Sequence, residues 1–380
     1  MTITDRSSTA APQAGGQPER LGTVIIGAGQ TGLATAYFLG KAGVPGVVLD
    51  EHARVGDQWR KRYDSLLLNS PAQYDGLPGM PFPGARGTYP SGADMGDHLE
   101  RYVQTMGIEV RSCMRVSAVE RGQDGSWIVT TSAGELAAEN VVVACGAEQL
   151  PKVPPVANEL DPGIRQLHSS RYTNPGQLLP GPTLVVGASQ SGADLALEIA
   201  HAGHDTWVSG RAVPEVPVPF GSRRMRMVVP VLWFLANHVF TLRTPIGRRM
   251  QPVIRKGGAP LVRYRRADLA AAGVHLTEAR TVGADDGRPV LDDGTVLDVT
   301  NVVWCTGFRQ DFDLVRPDVT GDDGYPRGDA GIVTDLPGLY YVGLLFQSAF
   351  ASVLIGGAGR DAKRIAAHIA ARTREHAGAR

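Results

Sequence analysis

The 380 residues suffice for two hydrophobic cores, and 43% hydrophobic with 20% charged residues is ordinary for a globular enzyme. Lys and Arg balance Asp and Glu at 38 each, so net charge gives no pointer to nucleic acid or to acidic partners. Three scattered cysteines (Cys113, Cys145, Cys305) form no C-x-x-C, which argues against a disulfide scaffold, a metal site and a redox dithiol. A cytoplasmic, reducing compartment is the expectation. Residues 1–20, rich in Ser, Thr, Ala, Gly, Gln and Pro, read as a disordered tail and not as a signal peptide.

The run Val24-Ile25-Ile26 then reads as a buried strand that breaks into Gly27-Ala28-Gly29-Gln30-Thr31-Gly32 and opens a helical pattern from Leu33. In a G-x-G-x-x-G turn the first glycine bends the chain and the second lets the backbone approach a pyrophosphate. The third packs the helix on the strand, and the helix N-terminus offers N–H groups to the phosphates. A second strand, Val47 to Leu49, ends in Asp50, 18 residues past Gly32, where a ribose-binding carboxylate belongs. The segment from Tyr74 to Pro90 is dense in Pro and Gly and reads as an ordered loop. Met95 to Met106 is amphipathic and stops at Gly107, a helix with its C-cap. Short strands are expected over 108–111, 115–121, 126–132 and 140–145, the last beside the first strand. Pro151 to Pro182 is a candidate interdomain linker.

The opening device then repeats. Thr183 to Val186 is a strand, Gly187-Ala188-Ser189-Gln190-Ser191-Gly192 a glycine turn, and Ala193 to Ala202 a helix; the strand Asp205 to Ser209 leads to Gly210-Arg211. An internal repeat of this kind means two dinucleotide sites in one chain. Between Arg211 and Ala267 lies an insert whose Met227 to Leu242 is almost wholly apolar, with no acid from Arg223 to Arg266. A helix and strand over 267–281, a hairpin turning at Asp293-Gly294, strands at Asn301–Cys305 and Leu339–Gly343, and a helix from Arg360 to Thr373 complete the chain. Cys145 and Cys305, at the ends of buried strands, read as small core residues.

The two second strands end differently, which points to two different dinucleotides. Asp50 suits a free 2′-hydroxyl, as in NAD or the adenosine half of FAD, whereas the Arg211 cation suits a 2′-phosphate, as in NADP. The apolar stretch of the insert is short for a bilayer span of about 20 residues. It fits a lid over a substrate channel, the favoured reading, or a helix lying on a membrane surface.

In these residues the chain resembles the class B flavin-dependent monooxygenases, the flavin-containing monooxygenases and YUCCA-like enzymes. Gly56-Asp57-Gln58-Trp59 is similar to their G-G-x-W flavin-side motif, with Asp57 replacing the second glycine. The turn at 187–192 is similar to their G-x-S-x-S-G, and Cys305-Thr306-Gly307-Phe308 to A-T-G-Y. His168 and Tyr172 keep the His and aromatic of F-x-G-x-x-x-H-x-x-x-(Y/F), while Pro162 and Ile164 replace its Phe and Gly.

The resemblance implies an α/β fold with two Rossmann-like domains in a glutathione-reductase-like arrangement. An FAD domain (21–150 and 300–380) would carry an inserted NADPH domain (151–299), which itself carries the insert 212–266. FAD would contact Gly27, Gly29, Gln30, Thr31, Gly32, Asp50, Glu51, Gln58 and Trp59. NADPH would contact Gly187, Ser189, Gln190, Ser191, Gly192 and Arg211, with Thr306 and Gly307 linking the two sites. The implied activity is NADPH-dependent formation of a C4a-(hydro)peroxyflavin and transfer of one oxygen to a small organic substrate: S- or N-oxygenation, Baeyer–Villiger reaction or oxidative decarboxylation. Asn69 is the candidate to contact the oxygen adduct, in a position where YUCCA-like sequences carry His. His168 reads as a structural hydrogen-bonding residue. The alternative is a flavoprotein reductase that passes electrons to a partner. Partners are the small substrate and dioxygen, with no nucleic acid; a homodimer remains open.

Overall fold

The computed structural model describes residues 17–255 and 260–378. The first unit contains β1 (Glu19–Ile26), α1 (Gln30–Lys41), β2 (Val47–Leu49), α2 (Asp57–Arg60), α3 (Gly92–Met106), β3 (Val110–Arg111), β4 (Val116–Arg121), β5 (Trp127–Thr131) and β6 (Gly134–Val143). β7 (Leu150–Pro151) leads out of it. The second unit contains β8 (Arg165–His168), β9 (Thr183–Val186), α4 (Gln190–His201), β10 (Thr206–Ser209), α5 (Arg223–Phe234), α6 (Pro245–Arg255), α7 (Arg266–Ala271), β11 (His275–Thr277), β12 (Thr281–Asp285), β13 (Arg288–Leu291) and β14 (Asn301–Trp304). β15 (Phe308–Arg309) returns to the first unit, which ends with β16 (Val315–Arg316), β17 (Leu339–Tyr341) and α8 (Ala358–Gly378).

The predicted tail ends two residues too late, because Glu19 and Arg20 already pair with Leu136 and Ala137 of β6; residues 1–16 lie outside the described ones. β1 is central: Val24 sits between Val47 and Val141, all parallel and buried. Near-continuous apolar strands of this kind are what a sheet covered on both faces requires. The first sheet runs β16-β4-β5-β6-β1-β2-β3, and the second half of β6 also pairs with β17. One core cluster includes Ile25, Leu33 and Ile365; another includes Val24, Trp127 and Tyr341. α3 ends at Gly107 in the left-handed region, as its sequence predicts, but starts at Gly92 behind a Ser91–Asp94 capping box, three residues before the expected Met95.

The second sheet is parallel throughout, in the order β11-β10-β9-β14-β8. β14 therefore belongs to the second unit, and the boundary expected at 300 falls after Trp304. The predicted linker is not structureless, since its β8 is the edge strand beside β14. The two crossings between units run together, with Leu150–Pro151 antiparallel to Phe308–Arg309. A second hairpin, β12–β13, turns at Asp286-Gly287, upstream of the turn at Gly294.

Candidate functional site

The two glycine turns are built alike. Gly27 and Gly187 have φ of 108° and 115°, a region that favours glycine, and their N–H groups donate to Leu49 O (2.7 Å) and Ser209 O (2.8 Å). A Cβ on Gly32 would stand 2.0 Å from Gly27 O, and one on Gly192 1.7 Å from Gly187 O. Each turn therefore sets helix against strand at a distance that only glycine allows. Neither Gly29 at the start of α1 nor Ser189 at the start of α4 makes a side-chain cap, and neither first turn carries an acid. Both helix ends thus present N–H groups and a positive dipole end to a phosphate. A Cβ on Gly29 would meet only Gln58 Nε2, at 3.8 Å, so glycine leaves room there for a ligand. Gln58 Nε2 also donates to Ala28 O (3.4 Å), while Gln58 Oε1 is buried without a partner among the described residues.

The second-strand ends differ. Asp50 is 7% exposed; its Oδ2 accepts from Ala28 N–H (2.7 Å) and its Oδ1 from His52 N–H (2.8 Å), with the His52 ring nitrogen Nδ1 also at 2.8 Å. In the second unit Gly210 takes the place of Asp50, and a Cβ there would lie 3.3 Å from Ala188 N. Arg211 follows, exposed and bonded to no described residue. Glu51 is exposed near Arg115 (3.9 Å). Thr31 is buried where a Cβ on Gly343 would come within 2.7 Å of its hydroxyl, so the last strand closes over the first turn. Gln190 donates to Pro260 O, and Ser191 lies half-buried in the first turn of α4.

Gly56, with φ of 90°, packs against Gly96, while Trp59 joins the first core. Asp57, in the place of the family's second glycine, pairs with Arg60 (3.3 Å), which also holds Asp97 and Glu100. Asp57 thus braces within α2 the arginine that ties this helix to α3.

Residues 63–70 bridge the units. Tyr63 donates to the buried Asp194 of α4 (2.8 Å), Arg263 approaches the same carboxylate (3.6 Å), and Asp64 N–H donates to Thr173 O (2.9 Å). At the other end Leu68 N–H donates to Pro90 O of the first unit (2.8 Å). Burial raises the Asp194 carboxyl, and burial with the adjacent Asp194 raises the Tyr63 phenol. Asn69 lies at the first-unit end of this bridge, exposed, with no side-chain bond to a described residue. Next to it Ser70 donates to Asp75, which is fully buried with one oxygen unpartnered among the described residues; burial pushes its carboxyl up to about 7. The Tyr63–Asp194 contact and Asp75 are absent from the sequence reading. A buried acid on the apolar face of α4 was the one available signal, and a Pro-Gly loop offers none.

His168 accepts from Ser170 N–H at Nδ1 (3.1 Å), so its Nε2–H donates to Gly307 O (3.0 Å). Burial lowers its pKa, and the neutral ring joins β8 to the Thr306-Gly307 segment, as a structural residue does. Thr306 donates to Lys152 O beside the crossing strands. Cys145 is exposed in the turn after β6, which corrects its reading as a core residue; Cys305, just past β14, is half-buried and packs against the core of the second unit.

The insert, continuous in sequence with the second unit, docks on the first. Leu242 N–H donates to Ser348 O (2.9 Å), Phe350 N–H to Phe240 O (2.8 Å), and Gln251 Nε2 to Phe346 O (3.0 Å). Trp233 packs on Tyr74 with ring centroids 4.8 Å apart. Among the described residues no helix is long and apolar enough to cross a membrane and no cluster fits a metal ion.

Two phosphate-facing helix ends in one chain define a two-dinucleotide oxidoreductase. The profile of the pyridine nucleotide-disulphide oxidoreductase family matches residues 24–215. An oxidoreductase of Geobacillus kaustophilus, described as CzcO-like, is 34% identical over 90% of this chain and 95% of its own. A probable indole-3-pyruvate monooxygenase of Arabidopsis thaliana is 28% identical over 93% and 87%. The structure of a flavin-containing monooxygenase from Stenotrophomonas maltophilia superposes with a TM-score of 0.74 at 24% identity, covering 93% of this chain and 99% of that one. The chain belongs to the pyridine nucleotide-disulphide oxidoreductase family.

Proposed function

We propose that the protein is an NADPH-dependent FAD monooxygenase that passes one atom of dioxygen to a small organic substrate in the cytoplasm. The observation that carries the assignment of cofactors is the contrast at the second-strand ends. Asp50, held by two backbone N–H groups, presents its remaining lone pairs to a ribose hydroxyl; Gly210-Arg211 clears that place and offers a guanidinium to a 2′-phosphate. The N–H groups of the turns at Gly27–Gly32 and Gly187–Gly192 hold the two pyrophosphates, with Gln30 and Thr31 or Ser189, Gln190 and Ser191 at the helix ends. Gln58 and Trp59 flank the flavin side of the first turn, and Glu51 stands at the ribose end. When bound, FAD supplies the hydride-accepting and oxygen-activating chemistry.

The chain's own part is to orient and to exclude water. The Tyr63–Asp194 bond ties the nicotinamide unit to the segment that carries Asn69, whose free amide can donate to the reacting oxygen. Thr306 and Gly307 join the two sites. The insert, seated on 345–350, keeps bulk water out. The relatives named as monooxygenases support oxygen transfer over electron delivery to a protein partner.

The test is to reduce the FAD-loaded protein anaerobically with NADPH, admit dioxygen, and record both flavin reoxidation and peroxide. A lag before oxidised flavin returns, with little peroxide while NADP⁺ is present, is the expected result. Immediate reoxidation with stoichiometric peroxide would favour the reductase reading. Asn69→Ala shortens the lag; an unchanged lag removes Asn69 from the site.

A further inference from the structure

Six of the ten exposed large hydrophobic residues among the described ones fall in a single stretch, 227–253 of the insert. The other four, Val153, Leu179, Val282 and Val296, are scattered. On α5, Met227 (70% exposed), Val231 (57%) and Phe234 (57%) recur at i, i+4 and i+7, which puts them on one helix face. The opposite face turns Met225 and Trp233 toward the protein. On α6, Ile246 (53%) and Val253 (66%) share a face in the same way, with the exposed Arg249 between them. The insert therefore has an occupied inner side and an apolar outer side.

Charge says what the outer side suits. Arg223, Arg224, Arg226, Arg243 and Arg249 are exposed, and none pairs with a carboxylate among the described residues. No acid occurs from Val216 to Ala267, in a chain otherwise balanced between acids and bases. Apolar residues interleaved with unpaired arginines, on helices lying along a surface, match a bilayer whose headgroups are anionic and whose acyl chains start just beneath. A second copy of this chain would bring the same positive face against itself, which charge repulsion opposes.

We propose that the outer face of α5 and α6 docks on anionic lipid, so that the protein rests on a membrane surface without crossing it. The inner face of the same insert covers the first unit, so the docked enzyme would open toward the lipid phase, from which an apolar substrate could be drawn.

The test uses the full FAD-loaded protein with vesicles of phosphatidylglycerol and phosphatidylcholine, or of phosphatidylcholine alone, read by co-sedimentation. Binding to the anionic vesicles only, weakened by salt, is expected. Arg223→Ala/Arg224→Ala/Arg249→Ala weakens partitioning on the order of a hundredfold. Met227→Ser/Val231→Ser/Phe234→Ser also weakens it, while Val282→Ser, on the scattered surface, leaves it unchanged. Flavin content equal to wild type shows that each variant is folded. Absence of binding to anionic vesicles, or equal binding by all variants, overturns the proposal. Self-association that the serine variant abolishes, without vesicle binding, would assign the face to a second copy and overturn it likewise.

Discussion

The two glycine turns share a backbone and differ in one place. In the first, Asp50 is buried and fastened to the loop it faces, through Ala28 N–H and His52 N–H. In the second, glycine stands at that place and Arg211 is exposed beside it. A fixed acceptor suits a cofactor that stays; an exposed cation suits one that comes and goes. On the proposed assignment, the turn supplies the phosphate cradle in both units, and the residue at the second-strand end selects which dinucleotide enters.

Breaking the cradles separates the two sites most strongly. Gly32→Ala puts a Cβ 2.0 Å from Gly27 O, so the purified protein should lose its flavin absorbance and melt at a markedly lower temperature. Gly192→Ala, with its clash inside the second unit, should keep FAD and raise the KM for NADPH by more than tenfold. If both variants lose flavin equally, the assignment of separate sites fails.

Asp50→Ala comes next. It removes the ribose acceptor and leaves buried N–H groups without a partner, a cost of about 1–3 kcal/mol, or roughly ten- to hundredfold in FAD affinity. Fluorescence titration of the apoprotein reads it. Arg211→Ala should touch only the second site, raising the KM for NADPH by about ten- to hundredfold, as loss of a charge-assisted bond does, and leaving that for NADH unchanged. Its melting temperature should match wild type, since the side chain is exposed.

The effect that touches stability and neither cofactor is one of pH. Burial raises the Asp75 carboxyl from 3.8 to about 7, so the folded state keeps a proton that the unfolded chain releases. The stability this gives is full below about pH 4 and is lost as pH rises through about 7. Asp75→Asn removes that dependence. Its melting temperature should gain on wild type between pH 5 and pH 8, by no more than about 2.7 kcal/mol in stability. A difference that stays flat with pH would mean the carboxyl is not held protonated.

What was legible in the chain follows the range of the interactions. Gly27, Gly32, Gly187 and Gly192 announce themselves because backbone clashes forbid other residues there, and Gly107 because a C-cap is local; the Ser91 cap went unread, and the helix was started three residues late. Continuous apolar runs placed β1, β6 and β9, whereas the short return strand β14 was assigned to the wrong unit because partner choice is not written in a strand's own residues. Tyr63 gave no sign that it would reach Asp194, 131 residues away. Nor did the insert, whose sequence allowed a lid or a surface helix, show that its two faces would be divided between the first unit and solvent. Asp57 departs from the family motif, and its ion pair with Arg60 shows what the carboxylate gains in exchange for glycine.

The central claim, resident FAD on the first turn and exchanging NADPH on the second, is tested most directly by anaerobic titration of the purified protein with NADPH, following flavin absorbance. The account predicts that FAD copurifies and is bleached by about one equivalent of NADPH, and that Arg211→Ala needs far more for the same bleaching. Purified protein that binds no flavin when FAD is supplied, or flavin that NADPH cannot bleach, would contradict it.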